Sequence, residues 1–342
     1  MNLHTVGKVF AFAAAAGAAW QLMRRAHGGT RLDGRVALVT GGSRGLGFAI
    51  AEQLLANGAD VALCARDEQE VVAAVRQLAE RCGRSQVVYG AVCDVGDEHS
   101  VEQMVARVAR RLGPIDVLVN NAGVMTVGPL PHMTRADFDE AMRVHYQGAL
   151  NTCLAVLPSM RARRSGHIVN VASIGGLVPV PHMAPYVASK FALVGLSRAL
   201  REDLARDGVR VTTVCPGPMR TGSALNARFK GRHDEEFRWF GASAALPVVS
   251  TDGRRAARQV VAAVRRGDAE LMVGAPARVL GAIGSLLPGP TGALLAAIER
   301  LLPAPRGTGG PSRSGADSSE RLDDTWLLRR TEAAADALQP GD

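Results

Sequence analysis

Tyr186 and Lys190 stand four positions apart in the run Pro185-Tyr186-Val187-Ala188-Ser189-Lys190. Tyrosine occurs only three times in the chain, and its lysines are Lys8, Lys190 and Lys230, every other cation being arginine. On a helix, residues at this spacing share a face, so the phenol and the ammonium would point into one site. A cation beside a phenol favours phenolate and lowers its pKa from the reference near ~10, giving a proton donor usable at neutral pH. Lysine suits such a relay because it is a compact charge on a flexible stem, whereas guanidinium is a broad, permanently charged fork. The competing reading is a solvated Tyr/Lys pair on a helix surface.

The elements that would position the pair favour a site. Arg35-Val36-Ala37-Leu38-Val39-Thr40 reads as a short buried strand running into Gly41-Gly42-Ser43-Arg44-Gly45-Leu46-Gly47, after which residues 48–57 read as a helix. Strand, glycine-rich turn and helix make a phosphate cradle. Gly41 and Gly45 allow a tight turn against a pyrophosphate, Gly47 allows close helix packing, and the helix N-terminus offers free N–H groups. The spacing is G-x-x-x-G-x-G, not the commoner G-x-G-x-x-G, so taken alone the cluster competes with a simple turn. Strand-like runs at 60–65, 86–93, 115–120, 167–172 and 209–215 alternate with helical stretches, which predicts parallel βαβ units. The residues of interest then fall at carboxyl ends of strands or starts of helices, where open α/β sheets bind ligands.

Asn120-Asn121-Ala122-Gly123, Ser173, Tyr186 with Lys190, and Pro216-Gly217-Pro218-Met219-Arg220-Thr221 follow the glycine turn in that order. Together these motifs resemble the short-chain dehydrogenase/reductase family over residues 31–274. The resemblance implies an α/β fold, a single Rossmann-like doubly wound parallel sheet with helices on both faces, binding a nicotinamide dinucleotide. It implies hydride transfer between the nicotinamide and a carbonyl or secondary alcohol, the protein supplying orientation and proton delivery. By the same resemblance Tyr186 exchanges the proton with the substrate oxygen, Ser173 hydrogen-bonds that oxygen, and Lys190 tunes Tyr186 and binds the nicotinamide ribose. Gly41, Ser43, Arg44, Gly45, Leu46 and Gly47 would hold the pyrophosphate end of the cofactor. Asn120, Ala122, Gly123, Pro216 and Gly217 would line its cleft, with Thr221 on the carboxamide. Asp94, followed by Val95, would meet the adenine, against a plain helix N-cap.

Charge argues the cofactor choice. An NAD site places an acid after the second strand to hold the ribose 2′-hydroxyl, whereas this chain has Cys64-Ala65-Arg66 there and Arg44 in the glycine turn. Two guanidinium forks suit a 2′-phosphate, so NADP (NADPH) is expected ahead of NAD, and Asp67 is not taken as the acid. His145 stands where the family carries the asparagine of its proton relay. A backbone carbonyl there would keep the relay, imidazole could itself carry protons, and a plain helix histidine stays open. His132 and His182 recur in Pro-His-Met triplets, open between pocket and loop packing. Phe229, Phe237, Trp239 and Phe240 in the lid segment 219–249, with Met125, Met183 and Met219, suggest a fairly apolar carbonyl or alcohol substrate, against simple lid packing. The alternative function is a noncatalytic dinucleotide-binding regulator or scaffold on the same fold.

At 342 residues and 47% hydrophobic, the chain can bury one large core, while 4% aromatic content limits stacking on nucleic acid bases. The net charge of +8 comes from arginines dispersed over many helices and reads as a solvated surface, with no nucleic-acid partner. No spacing of His, Cys, Asp and Glu suggests a metal, and the scattered cysteines read as reduced thiols in a cytosolic setting. Within the apolar N-terminal segment 1–30, the uncharged run 9–23 is about 15 residues long, short of the ~20 that span a bilayer. An anchor there would leave the catalytic domain, 31–275, cytoplasmic; a soluble helix and a cleaved signal stay open. Residues 276–303 read as two short apolar helices at the substrate mouth or a membrane. Residues 304–342 read as a tail, disordered through its Pro/Gly/Ser/Arg part, with a short amphipathic helix within 322–338. Membrane contact through both terminal apolar segments and homo-oligomerisation remain open.

Overall fold

Val36–Thr40 (β1) is apolar but for its last residue and buried at every position, as a strand covered on both faces requires. In the computed structural model, which describes residues 30–83, 86–246, 250–305, 310–319 and 325–338, it is an interior strand of a seven-stranded parallel sheet. The other strands are β2 (Asp60–Ala65), β3 (Val88–Val92), β4 (Val117–Asn120), β5 (Gly166–Val171), β6 (Val209–Pro216) and β7 (Glu270–Val273). Their order is β7-β6-β5-β4-β1-β2-β3, all pairs parallel. The winding reverses between β1 and β4, and the crevice at that switch point is where such sheets take ligands. The doubly wound Rossmann-like fold is thus present. β7 escaped the sequence reading because four residues on an edge, the first exposed, carry too little pattern.

Helices α1 (Gly45–Ala56), α2 (Glu68–Ala79), α3 (Glu98–Leu112), α4 (Arg135–Met142), α5 (Gly148–Arg163), α6 (Ala184–Asp203), α7 (His233–Ala245) and α8 (Gly253–Arg266) connect and cover the strands. One core packs α1, α2 and α8 on the sheet around Ile50, Leu54 and Leu63; another packs α3 and α5 around Leu118, Met104 and Met160. In α8, Ala256, Ala257, Val260, Val261 and Val264 are buried at helical spacing while the helix's arginines are exposed. Each of these valines stabilises the fold by roughly 1.5–3 kcal/mol through burial.

After β7, α9 (Ala275–Leu286) and α10 (Pro288–Glu299) form the two short helices expected for 276–303. They leave Val279, Leu286 and Leu294 exposed. Among the described residues no helix is long and apolar enough to cross a membrane. The anchor expected at 9–23 lies outside the described residues.

The tail departs from expectation. Arg313–Ser314 pairs antiparallel with Arg228–Phe229, which itself pairs parallel with Thr126–Val127. Gly315–Ser319 is helical, α11 (Thr325–Asp336) packs on α7, and Leu338 enters the main core. Disorder over 310–319 is therefore incorrect. Composition weighs local cohesion, whereas this segment is held by distant strands; a Cβ on Gly315 would meet the Ala224 carbonyl at 1.9 Å.

Candidate active site

β1 ends in the glycine turn. Gly41 and Gly45 both have φ of +59°, the left-handed region that glycine enters without a Cβ penalty. A Cβ on Gly47 would lie 2.1 Å from the Gly41 carbonyl, so only glycine lets α1 start this close to the strand. Thr40 Oγ1 accepts N–H bonds from Asn121 and Ala122 at 3.0 and 3.1 Å, and Asn121 Nδ2 donates to the Gly41 carbonyl at 3.0 Å. The turns after β1 and β4 are thereby locked together. α2, α3 and α8 are capped by Asp67, Asp97 and Asp252, whereas α1 has neither a side-chain cap nor an acid in its first turn. That uncapped N-terminus fits a pyrophosphate.

One N–H of the turn has another partner: Gly45 N–H donates to the Leu338 carbonyl at 2.8 Å. The C-terminal segment therefore clasps the cradle. Leu338→Ala keeps the carbonyl but removes the side chain that seats it in the core, and by loosening the clasp is expected to weaken dinucleotide binding roughly fivefold, about the worth of the hydrogen bond it unsettles. Fluorescence titration of the nucleotide checks this; unchanged affinity would mean the turn holds its shape alone.

A cleft of about 890 Å³ opens over these turns. Gly41, Ser43, Arg44, Gly45, Leu46, Arg66, Asp94 and Val95 line one end of it. Ala122, Gly123, His145, Ser173, Tyr186, Lys190, Pro216, Gly217 and Thr221 line the rest. Two expected residues do not. Gly47 lies behind the turn, as its packing role requires. Asn120 points beneath the cleft: its Nδ2 donates to Asn170 Oδ1 at 2.9 Å and its Oδ1 accepts from Thr152 Oγ1 at 2.6 Å. Successive strand residues face opposite sides, so the lining position passes to Asn121, which the sequence reading missed.

At the centre, Tyr186 and Lys190 project from α6, and Ser173 follows β5. The Ser173 hydroxyl stands beside the Tyr186 phenol, where it favours the ionised form, and accepts the Gly175 N–H at 3.0 Å. Lys190 Nζ donates to the Val171 carbonyl at 2.9 Å and lies 5.6 Å from the centre of the Tyr186 ring. The expectation that the ammonium lowers the phenol's pKa does not hold: burial pushes Tyr186 up to about 12. The residue stays partly open to the cleft, so the effect comes from protein packed around the phenol. Burial also pushes Lys190 down to about 7, which weakens the very charge that would have acted on the tyrosine.

His145 sits in a π-helical turn, Arg143–Gln147, between α4 and α5. Its Nε2 accepts the Val124 N–H at 3.1 Å, and its Nδ1 lies 2.7 Å from Ser189 Oγ, whose hydroxyl donates to the Tyr186 carbonyl at 2.9 Å. These partners require the neutral Nδ1–H form. Burial, and then the Lys190 charge, hold its pKa well below 6.5. With both nitrogens engaged and protonation disfavoured, His145 is not arranged to carry protons. It ties the turn after β4 to the helix of Tyr186. Ser189 lay within the Tyr-Lys run, but its distant partner left no signal in the sequence.

The adenosine end differs in one respect from expectation. Arg44 pairs with Glu70 of α2, and Ser43 Oγ donates to the same carboxylate at 2.9 Å, so Arg44 is not an uncommitted fork. Arg66 is exposed at the rim, and Asp67 accepts the Glu70 N–H as the cap of α2. Asp94 accepts from Arg143 at 2.8 Å and from the Gly96 N–H at 2.9 Å, while Asp97 caps α3, which removes the N-cap reading for Asp94. Burial raises the Asp94 pKa, but these bonds outweigh it and hold the carboxyl below 3.8.

The lid aromatics divide. Phe229 and Phe237 are fully buried and pack the lid, whereas Trp239 and Phe240 line the cleft with Met125, Met183 and Met219. His132 is buried against the Gly231 turn. Among the described residues no cluster could hold a metal, and all five cysteines are free.

Comparison with known proteins agrees with this geometry. The short chain dehydrogenase family model matches residues 35–230. Oxidoreductase UcpA of Escherichia coli K12 is 36% identical over 221 residues, which are 64% of this chain and 82% of that protein. A short-chain dehydrogenase structure from Streptomyces avermitilis is 30% identical with a TM-score of 0.65, covering 78% of this chain and 96% of that one. An actinorhodin polyketide ketoreductase variant crystallised with NADPH is 32% identical with a TM-score of 0.64, covering 73% and 99%. Nothing in these similarities favours a noncatalytic regulator. The chain belongs to the short-chain dehydrogenase family and is a nicotinamide-dependent oxidoreductase acting between carbonyl and alcohol.

Proposed function

We propose that the enzyme reduces fairly apolar ketones with NADPH, and that Tyr186 is its proton donor. The observation that carries this reading is the Ser173–Tyr186–Lys190 set meeting an aromatic- and methionine-lined wall in one cleft. The bound cofactor supplies the hydride. A phenol with a pKa near 12 is protonated at neutral pH and can donate to a ketone oxygen as negative charge develops on it. Ser173 would donate a second hydrogen bond to that oxygen, which stabilises the same charge. Lys190, fixed by the Val171 carbonyl, has further donors for the nicotinamide ribose. Asn121, Ala122 and Gly123 would line the cofactor's path and Thr221 would meet the carboxamide. His145 would act as a brace. A ketoreductase with NADPH among the similar structures supports the direction and the cofactor.

NADPH is favoured over NADH because Arg66 stands at the rim and Asp67 is committed to capping α2. Glu70 lines the same end of the cleft, but Arg44 neutralises it. Arg66→Ala is expected to weaken NADPH at least about 10-fold more than NADH, since only the phosphate accepts a guanidinium fork. Dissociation constants for both nucleotides check this. Equal losses would show that Arg66 does not read the 2′-phosphate.

A further inference from the structure

His182, in the loop between β5 and α6, has φ of +60°, a left-handed conformation disfavoured for any residue with a side chain. The loop is held there: the His182 carbonyl accepts the Gly128 N–H at 2.8 Å, and its Nδ1 lies 2.9 Å from both carboxylate oxygens of Glu236 on the lid helix α7. The two side chains are only 4% and 1% exposed, which is costly for an acid unless donors satisfy it. The second donor is Trp239, whose indole N–H meets Glu236 Oε2 at 2.7 Å. Of the three, only Trp239 lines the cleft. Its ring also stands edge-to-face with His182 at 6.2 Å and with Phe240 at 5.8 Å. A strained loop and a buried acid thus converge on the orientation of one indole.

We propose that Trp239 determines specificity, and that Glu236 and His182 are positioning residues fixing its indole, so that the cleft selects flat, ring-bearing apolar ketones over flexible chains of similar size. This rests on the ketone-reductase reading and names its substrate class. A wall already locked by its own N–H loses little freedom when a ligand arrives, and aromatic surfaces gain most from other rings. Val180, Met125 and Met183 complete an apolar lining.

Calorimetric titration of 2-acetonaphthone and 2-dodecanone, methyl ketones of equal carbon count, tests the proposal. Protein loaded with NADP+ has no hydride to give, so binding is read without turnover. Trp239→Ala is expected to weaken the naphthyl ketone roughly 3- to 10-fold more than the chain ketone. Glu236→Leu should shift that ratio the same way, and combining it with Trp239→Ala should add little, as for residues acting through one contact. Should Glu236→Leu fail to fold, Trp239→Phe tests the same link, because it keeps a ring without the N–H and is expected to lower the ratio. A wild-type ratio in Trp239→Phe, equal weakening of both ketones, additive losses, or no binding of either ketone overturns the proposal. The expected binding pattern without NADPH oxidation would sink the reductase reading alone.

Discussion

Tyr186→Phe is expected to lower turnover at least ~10²-fold, the usual scale for losing a positioned general acid. The variant removes one hydroxyl and keeps the ring that packs beside His145 at 5.4 Å and the Gly175 backbone. Cofactor affinity and melting temperature should therefore stay near wild type. Ser173 would still reach the substrate oxygen, but without a proton to pass on the developing alkoxide has no acid. Steady-state kinetics with NADPH and an aryl ketone give the answer, and turnover within a few-fold of wild type would remove Tyr186 from the proposed mechanism.

Lys190→Met should cost activity on a similar scale while acting oppositely on stability. Lys190 is buried and its pKa is depressed to about 7, so its ammonium is present below that pH and lost above it. If the charged form serves ketone reduction, kcat/KM falls as pH rises through about 7, and this limb is absent from the residual activity of Lys190→Met. The linkage sign follows from the reference value of 10.5. Between about 7 and 10.5 the unfolded chain binds the extra proton, so this group's contribution to stability rises with pH across that window. Below it the folded chain bears the full cost of a buried charge. Methionine removes that cost, although the Val171 carbonyl loses its donor. The melting temperature of Lys190→Met at about pH 6 should therefore not fall. A clear drop, or a pH limb that survives the substitution, would contradict the role given to Lys190.

Much of the fold was legible because β1 and β2 are short apolar runs bounded by turn residues, and the observed strands match residues 36–40 and 60–65. The glycine turn was legible for a steric reason, since Gly41 and Gly47 occupy positions where a Cβ would collide with backbone. What stayed hidden depends on contacts between distant parts of the chain. The Glu70 partner of Arg44, the Glu236 partner of His182 and the Ser189 partner of His145 are set by tertiary packing, which spacing along the chain does not record. The tail misled for the same reason: the polar composition of its Pro/Gly/Ser/Arg part suggests a solvated linker, yet Arg313–Ser314 pairs with Arg228–Phe229, far away in sequence. The phenol's pKa failed differently, because pairing it with Lys190 in sequence says nothing of how far both groups are buried.

Incubation of the enzyme with NADPH deuterated at the transferable C4 position and an aryl methyl ketone, followed by mass spectrometry of the product, tests hydride transfer directly. The account predicts one deuterium on the carbinol carbon, consumption of one cofactor per alcohol, and near-complete loss of labelled product in Tyr186→Phe. Cofactor and ketone that both bind while no labelled alcohol forms across a panel of apolar ketones would contradict it.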